Sequence, residues 1–589
     1  MDEIIDPPNI EQQHAGLLSN VTPEHLAYLG IALVAAVLRF ADLGVTPLNP
    51  GEATEALAVW NLWQSGDANV LPGSPAYLAL TAPLTQVLGF TDHIMRLVPA
   101  VFGFFLVLTP WFIRHRSGRL GALLTAMLLA LSPTQAIISR TGGGDTVGLF
   151  AGMFVFIAWL RYQESGDRRW LYTLAAALAL GLASAPLFYG ILAALLVAWV
   201  AQSAIGPALI QDSDGERAKL VKPSMHELRQ ALLIGVVGFL ALATALLFAM
   251  RGLGSAADLA VAWLQDFQLW ATATLRATPL LILARYEVGL LLLGLPAAAW
   301  AALREKPYPI FVVYWAIGAF LLILIQPVSN ANVLLLTLPG YLLVGRFSND
   351  LLKRSSSRWW WAFAIAVVFA GGVVYLNIVR YARLNGIQGV PNATYHILIA
   401  FIALMAVLIL ATLAWTWDRS AVVKGVLAGL LVLLAIFSWG SAWWFSRQAA
   451  NDTRERWTAA ATDNDIRLML DTLEELSWRV NNSPDGVAVE AAIDTPALRW
   501  YLKEFGNATF ANSISAGAAG PILITPLMYD PRVAENYLGA EYGYARPDTL
   551  HSLEWIDALR WWLFHQSPIS VNEERLVLWL RADLAEAGQ

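Results

Sequence analysis

Long apolar runs recur along this chain and restrict its fold more than any other feature. Thirteen stretches come close to the roughly 20 residues that a helix needs to cross a bilayer. Because backbone polar groups inside lipid must be hydrogen-bonded within their own segment, runs of this kind have to be helices. The predicted spans lie at 24–41, 94–113, 119–138, 146–161, 170–185, 187–203, 230–250, 281–303, 308–326, 331–347, 359–379, 395–416 and 423–446.

The composition excludes a chain of several soluble domains. Of the 589 residues, 57% are hydrophobic and 14% are charged, whereas an average soluble protein is about 25% charged. We therefore predict a mainly α-helical polytopic membrane protein with about 13 transmembrane helices. The sequence contains no cysteine, which excludes disulfides and zinc sites built from cysteine. The histidines show no metal-ligand spacing, so no metal-binding residues are predicted.

Lysine and arginine gather in alternate loops, which predicts the orientation by the positive-inside rule. With the N-terminus inside, the inner loops are basic, whereas the long outer stretch 42–93 contains no Lys or Arg. An odd number of spans places the C-terminus outside. We expect a cytoplasmic tail (1–23), a transmembrane region (24–446) and an extracytoplasmic domain (447–589), in a cytoplasmic (inner) membrane. The tail lacks the basic start of a cleaved signal, so the first span is expected to stay as an anchor.

Two regions leave the span pattern open. The short neighbours 170–185 and 187–203 fit either two spans with a turn before Pro186 or one re-entrant pair. Segment 75–90 is apolar but interrupted by prolines, and it fits helices at the membrane interface better than a span.

Residues 447–589 change to a polar composition and predict a small α/β layer. The expected elements are a helical stripe at 466–476, a strand at 487–491, a helix from Pro496 to Phe505, a strand at 522–524, a helix at 553–564 and a strand at 576–580. No catalytic motif is found in this domain, so a structural or docking role is expected.

Carboxylates concentrate on the predicted outer face, beginning with Glu52 and Glu55. Their spacing of three places them on one face of a helix that follows the first span. Acidic residues in the first turn of a helix are favourable in themselves. The alternative is a base or a substrate or metal ligand in an outer cavity, because carboxylates next to lipid usually face water or a partner.

Other outer-face candidates lie further along the chain. Asp145 either caps the fourth span or contributes a second carboxylate. Arg140 beside it either pairs with Asp145 or binds an anionic group such as a lipid phosphate. Arg276, Arg285 and Tyr286 lie between the seventh and eighth spans and are either interfacial side chains or substrate contacts.

The order of motifs in the first 165 residues resembles glycosyltransferase family 39 of the GT-C superfamily, which includes protein O-mannosyltransferases and the lipid A aminoarabinose transferase. The motifs are Arg39 with Asp42-Leu43-Gly44, then Gly51-Glu52-Ala53, Pro75-Ala76-Tyr77-Leu78, Arg96-Leu97-Val98-Pro99, Leu131-Ser132-Pro133, Ser139-Arg140 and Asp145.

The resemblance implies a GT-C-like fold and transfer of a sugar from a polyprenyl-phosphate carrier to a lipid, protein or glycan acceptor at the outer face, with inversion. An outer carboxylate would take the proton of the acceptor hydroxyl, and basic residues would hold the carrier phosphate. It implies catalytic roles for Glu52, Asp145 and Glu55, and substrate contacts from Arg140, Tyr77, Arg276, Arg285 and Tyr286. No cofactor is assigned, and a divalent cation is left open. Nucleic acid is not an expected partner.

One position departs from the family pattern. The first acid of the family's Asp-Glu pair, the expected base, is Gly51 here. Either Glu52, Glu55 or Asp145 serves as base, or the chain is a non-catalytic accessory or scaffold subunit with the same fold. A transporter is disfavoured, because its ionisable groups would lie near the membrane midplane.

Overall fold

The computed structural model describes residues 22–64, 73–207, 209, 221–304, 306–353, 358–385, 393–448, 452–455, 457–458, 460–514, 520–529, 536–547, 555–564 and 573–586. Most of the predicted cytoplasmic tail lies outside these residues. Everything below concerns the described part of the chain.

Up to residue 448 the described chain consists of helices and the turns between them, without strands, and the helices are named in chain order. They are α1 (Pro23–Phe40), α2 (Pro50–Gln64), α3 (Pro75–Leu88), α4 (Asp92–Met95), α5 (Leu97–Leu108), α6 (Arg114–Ser117), α7 (Arg119–Leu131), α8 (Pro133–Ile138), α9 (Asp145–Ser165), α10 (Arg168–Leu182), α11 (Pro186–Ala204), α12 (Met225–Ala243), α13 (Gly252–Gln265), α14 (Ala273–Tyr286), α15 (Val288–Arg304), α16 (Pro307–Ile325), α17 (Leu334–Lys353), α18 (Trp360–Leu384) and α19 (Thr394–Arg447). Short 3-10 helices occupy Thr109–Ile113 and Asn330–Val333.

Nine helices of the described chain are long and apolar enough to cross a membrane, and the bent pair α14 and α15 makes a tenth. The prediction of a polytopic helical membrane protein is therefore confirmed. All thirteen predicted spans fall on helices, although α7 and α10 are short and α19 carries two spans. The neighbours α10 and α11 are separate helices joined by a turn before Pro186, and α3 is a 14-residue helix rather than a span.

Two breaks interrupt this pattern, and each has an acidic residue at its centre. The 54-residue α19 loses helical geometry at Asp418, whose φ is −144°, between its two apolar halves. The Asp418 carboxylate accepts hydrogen bonds from the Ser420 hydroxyl and the Ala421 N–H, so it caps the second half. The predicted span 281–303 is also not straight, because α14 and α15 meet at Glu287 with a bend of 95°.

The C-terminal domain folds around one mixed six-stranded sheet. Its elements are β1 (Ala460–Thr462), α20 (Asp465–Asn481), β2 (Val489–Ala491), α21 (Pro496–Tyr501), β3 (Ala508–Phe510), β4 (Ile522–Pro526), β5 (Tyr537–Pro547), α22 (Trp555–Phe564), β6 (Glu574–Arg581) and α23 (Ala582–Glu586). The strand order is β1-β5-β6-β4-β2-β3; β2 pairs in parallel with β3 and β4, and the other pairs are antiparallel.

The buried core has two main parts. The larger part runs through the transmembrane helices. The other part joins α2 and α3 to the C-terminal domain, where Leu57 and Tyr77 share a cluster with Leu498 and Trp500. The stretch after α1 is thus enclosed between the membrane region and the sheet domain, and this position decides which of its polar groups can reach water.

Candidate functional site

Residues 41–49, called the first outer turn after their predicted side of the membrane, join α1 to α2 and are held by arginine side chains. Asp42 adopts a left-handed conformation with φ 56°, and the turn's carbonyl groups are free of helix or strand pairing. Buried carbonyls need donors, and a guanidinium offers five N–H groups. The donors are Arg96 to Leu43, Thr46 and Pro47, Arg140 to Ala41 and Asp42, Arg467 to Gly44 and Val45, and Arg447 to Ala41.

Glu52 lies in the first turn of α2 and forms a buried ion pair with Arg96. Two hydrogen bonds of 2.7 Å join the carboxylate to Nε and Nη2 of Arg96, and the side chains are 2% and 4% exposed. The carboxylate also accepts the N–H groups of Gly142 at 2.7 Å and Asn49 at 3.0 Å. Both oxygens of Glu52 are therefore already engaged by the protein.

Glu55, one turn further along α2, is in a different environment. The backbone N–H of Ser74 donates to its carboxylate, while Oε2 is buried and has no hydrogen-bond partner. Burial raises the pKa of Glu55 to about 7, the Ser74 hydrogen bond opposes this, and the negative charge of Asp145 raises the pKa further. A Cβ at Gly73 would lie 2.4 Å from Oε1, so a glycine leaves the space that this carboxylate occupies.

Asp145 approaches the same place from the start of α9. The N-cap is Gly144, which makes no side-chain cap, and Asp145 is the first helical residue, so the interpretation of Asp145 as an N-cap is wrong. A Cβ at Gly144 would overlap the Ser184 carbonyl at 2.0 Å and the Ser74 hydroxyl at 2.2 Å. This close packing brings the start of α9 against the segment that donates to Glu55.

Tyr77 on α3 lies within electrostatic reach of both carboxylates of α2. Its hydroxyl donates to the Met95 carbonyl at 2.5 Å. Burial raises the pKa of Tyr77 well above its usual value, and the charges of Glu55 and Glu52 raise it further. Tyr77 therefore stays neutral at physiological pH.

Arg140 faces the first outer turn rather than Asp145. Its Nε donates to the Ser446 carbonyl at 3.1 Å, and its Nη atoms donate to carbonyls at the end of α1 and in the turn. The predicted pairing with Asp145 is not formed, and no carboxylate of the described chain forms an ion pair with Arg140. Burial lowers the pKa of Arg140 to about 9, with Arg447 and Arg96 adding to the effect, so it remains a cation at neutral pH.

A small polar cavity of about 10 Å³ adjoins these groups, enough for one water molecule. Glu52, Arg96 and Arg140 line it together with Asn49 and Thr141. Glu52 and Arg140 thus share one cavity, while Asp145 lies close enough to Glu55 for its charge to raise the pKa of that carboxyl.

The remaining candidates gather on α14. Arg276 donates to the Leu269 carbonyl at 2.6 Å. The Arg285 guanidinium lies 5.7 Å from the Trp561 ring centroid. Tyr286 donates to the Glu455 carboxylate and stacks on Phe445 with centroids 4.0 Å apart.

These α14 contacts reach the site only indirectly. Phe445, under the ring of Tyr286, precedes Ser446, whose carbonyl accepts from Arg140. Tyr286 and Arg140 therefore hold consecutive residues at the end of α19. Arg276 contacts the Leu269 carbonyl, and the Arg285 guanidinium lies near the rings of Tyr286, Trp561 and Trp562.

No group of three or more His, Asp or Glu side chains with the arrangement of metal ligands occurs in the described chain. Glu55 and Asp145 supply two carboxylates at one place, which is the number that Mg²⁺ often takes from a protein beside substrate phosphates. The divalent cation left open by the sequence stays a prediction.

Sequence reasoning missed Arg96 as the partner of Glu52 and Ser74 as the donor to Glu55. Arg96 precedes a run of apolar residues at the start of α5. A cation in that position needs a buried acceptor or a route to water, and Glu52 is an acid in a stretch without basic residues. That complementarity is the signal from which the pair was predictable.

The helical membrane region and the sheet domain have the fold that the resemblance predicted, because the chain shares it with solved structures over most of its length. Residues 72–213 match the family described as dolichyl-phosphate-mannose-protein mannosyltransferase. No curated protein sequence matches the chain.

Two solved structures of one protein share this fold. ArnT from Cupriavidus metallidurans bound to undecaprenyl phosphate matches with a TM-score of 0.54 and 15% identity, over 95% of this chain and 98% of that chain. ArnT from the same organism in the apo state matches with a TM-score of 0.51 and 13% identity, over 85% of this chain and 93% of that chain. At such low identity the likeness concerns the fold alone.

Proposed function

We propose that this chain transfers a sugar from a polyprenyl-phosphate carrier to an acceptor hydroxyl at the outer face of a cytoplasmic membrane, with inversion, and that Glu55 is the base. The observation that carries the proposal is the state of the Glu55 carboxylate. It is held by Ser74, keeps one oxygen without a partner and has a pKa of about 7. A base works best when its pKa lies near the working pH.

The proposed step balances as a single displacement at the anomeric carbon. The ionised Glu55 carboxylate takes the proton of the acceptor hydroxyl as the acceptor oxygen attacks that carbon. The bond between the anomeric carbon and the phosphate oxygen breaks, and its electron pair leaves with the carrier. The products are the glycoside, with inverted configuration, and the polyprenyl phosphate.

Glu52 is poorly suited to be the base, although it keeps the second position of the family's acidic pair. Its oxygens accept hydrogen bonds from Arg96, Gly142 and Asn49. Taking up a proton there would break a buried ion pair. The geometry favours a structural role for Glu52 and leaves Glu55 as the available carboxylate, with Asp145 raising its pKa.

Arg140 is the group best placed to attract the carrier phosphate. It is a cation without a carboxylate partner among the described residues, and it lines a polar cavity with Thr141 and Asn49. The N–H groups of Arg140 donate to backbone carbonyls. Arg140 would therefore contribute its positive charge to phosphate binding rather than a pair of hydrogen bonds to the phosphate. The presence of undecaprenyl phosphate in the ArnT structure supports a carrier of this class.

The test is transfer from undecaprenyl-phosphate sugars, radiolabelled in the hexose or pentose, by membranes containing the chain. We expect wild type to transfer label and Glu55→Gln to lose at least about 10²-fold in rate. Glu475→Gln is the matched control, because Glu475 is exposed and paired only with Arg479 on the surface. A Glu55→Gln variant with unchanged transfer would remove Glu55 as the base.

Gly51 favours a second candidate, a non-catalytic subunit with the same fold. Residue 51 holds the position of the expected aspartate, and here it is an exposed glycine. In that case purified wild type would bind undecaprenyl-phosphate sugar without transferring it to any acceptor tried. Binding without turnover, in wild type and Glu55→Gln alike, would favour this candidate.

A further inference from the structure

A large apolar cavity lies inside the membrane region, among helices that the proposed reaction does not use. It has a volume of about 810 Å³, within the range of pockets that enclose small ligands. Its walls come from α15, α17, α18 and both halves of α19, and they are almost entirely hydrocarbon. Side chains on its wall, such as Leu404 and Leu408, are about half exposed, so the cavity is open and a lipid chain can enter it from the bilayer.

The cavity arises from the way α18 and α19 pack. A Cβ at Gly371 would lie 2.4 Å from Leu433, so α18 approaches the second half of α19 closely. The first half of α19 turns back at Asp418, and its side chains Leu404 and Leu408 line the space while remaining half exposed. The space between the two halves is therefore left unfilled by protein.

One end of the cavity carries positive charge. Trp415 forms part of its lining, and the Arg419 guanidinium lies 4.5 Å from the centroid of that ring. In the second half of α19, the Lys424 ammonium lies 5.0 Å from the ring of Trp360 on α18. These cations belong to the turn that the positive-inside pattern places on the inner face, opposite to Glu55. Aromatic rings beside cations are typical of the bilayer boundary.

We propose that this cavity binds an acyl chain of an anionic glycerophospholipid from the inner leaflet, with its phosphate beside Arg419. The apolar cavity complements an acyl chain, and the basic side chains at its predicted inner end complement a phosphate. Basic pockets between transmembrane helices bind anionic head groups in this way. The site is separate from the outer-face carboxylates, so it does not depend on the proposed transfer reaction. Its occupant would stabilise the α18 and α19 pair, which otherwise has few protein neighbours.

The test begins with lipid retained by wild type purified in mild detergent and analysed by native mass spectrometry. We expect a stoichiometric anionic phospholipid, and its loss from Leu408→Trp, which fills the cavity. Leu398→Trp is the matched control, because Leu398 is exposed on the same half of α19 and does not line the cavity. Ala411→Phe fills the same space with a smaller ring and serves if Leu408→Trp fails to fold.

The head-group part is tested by thermal stability with added phosphatidylglycerol or phosphatidylcholine. We expect phosphatidylglycerol to raise the melting temperature of wild type, and Arg419→Ala to bind it about fivefold more weakly. Arg168→Ala, another exposed inner-face arginine, should bind it as wild type does. Equal effects of the two lipids, retention by Leu408→Trp, or retained polyprenyl phosphate in place of phospholipid would each overturn the proposal.

Discussion

The carboxylate of Glu52 and the guanidinium of Arg96 are joined by two 2.7 Å hydrogen bonds across 44 positions of sequence. The pair ties the start of α2 to the start of α5, and the same arginine holds the first outer turn. Glu55, three residues later, has no cation of this kind and keeps a free oxygen. Two acids that lie one turn apart on α2 therefore have different roles: Glu52 is structural, and Glu55 is the proposed base.

Breaking the Glu52–Arg96 pair should destabilise the protein. Glu52→Gln leaves a buried guanidinium without its charge partner, and we expect a cost of about 3–5 kcal/mol in the free energy of unfolding. The measurement is thermal unfolding in detergent, combined in a double-mutant cycle with Arg96→Gln. Removing the exposed pair Arg499–Asp494 should cost about 1 kcal/mol or less. Equal losses from the two pairs would contradict a structural role for Glu52.

Glu55 should give the transfer rate a rising pH dependence. The base must be ionised, and the pKa of Glu55 is about 7, so activity should increase through neutral pH and level off above it. The measurement is the initial rate of label transfer from pH 5.5 to 8.5. A rate that is flat over this range would assign the base to another group.

Stability should change with pH in the opposite direction. The folded pKa of Glu55 lies above its ordinary value of 4.5, so the folded protein binds the proton more tightly than the unfolded chain does. This contribution is fully present below about 4.5 and is lost as the pH rises through about 7. Glu55→Gln, which mimics the protonated form, should therefore unfold at a temperature no lower than wild type at pH 8. Lower stability of Glu55→Gln would show that its activity loss has a structural cause.

An aspartate at position 51 should be tolerated by the fold, but it should not take over the proposed role of Glu55 as base. A Cβ at Gly51 would meet only Asn49 Oδ1 at 3.3 Å, and an acid in the first turn of a helix is favourable. Residue 51 is exposed, however, whereas Glu55 is half-buried and within reach of the Asp145 charge. We expect Gly51→Asp to fold normally and the double variant with Glu55→Gln to remain inactive. Recovery of transfer in that double variant would return the catalytic base to the family position.

The sequence predicted the helical membrane region well, because each span is a local property of an apolar run. It also predicted most elements of the C-terminal domain, including α20, α21, α22 and strands β2, β4 and β6. Strand β5 was missed, because two glycines and two alanines in Tyr537–Pro547 weaken the pattern of a strand. It forms through pairing with β1 and β6, which are distant in sequence.

The sequence predicted which residues are candidates for the site, but it did not predict the hydrogen-bond and ion-pair partners of those residues. Acids and arginines near the outer face follow from the topology. The assignment of Arg140 to backbone carbonyls, and of Arg96 to Glu52, depends on how the first outer turn folds. A buried backbone carbonyl leaves no recognisable pattern in the sequence. An arginine that binds phosphate and an arginine that donates to carbonyls therefore cannot be told apart without the structure of the turn.

Glu287 should be important for stability although it lies apart from the proposed base. It is fully buried at the bend between α14 and α15 and accepts hydrogen bonds from Ser132, Thr134 and Tyr341. Glu287→Ala leaves these hydroxyls without their acceptor, each at a cost of about 1–3 kcal/mol. We expect a lower melting temperature and faster hydrogen exchange in α8. The exposed Glu541→Ala is the control, and α8 exchange equal to wild type in Glu287→Ala would contradict the coupling.

Asp92 connects the sheet domain to the membrane region, and we expect it to stabilise the contact between them. Its carboxylate accepts from Trp500 Nε1 at 2.8 Å, the Tyr501 hydroxyl at 2.8 Å and Arg467 at 2.7 Å. The same domain reaches the first outer turn, because Leu48 N–H donates to the Tyr501 oxygen at 2.9 Å and the Thr462 hydroxyl donates to the Leu48 carbonyl at 2.8 Å.

Asp92→Ala removes an acceptor from three donors at this interface, so we expect the C-terminal domain to separate more often. Limited proteolysis should then release a fragment from residue 448 onward at a higher rate than in wild type, while the transmembrane helices stay intact. Asp485→Ala, on an exposed turn of the same domain, should be cleaved as slowly as wild type. Because the domain also holds the turn before Glu52, transfer should fall together with the faster cleavage. Faster cleavage with full transfer would mean that the domain docks without supporting the site.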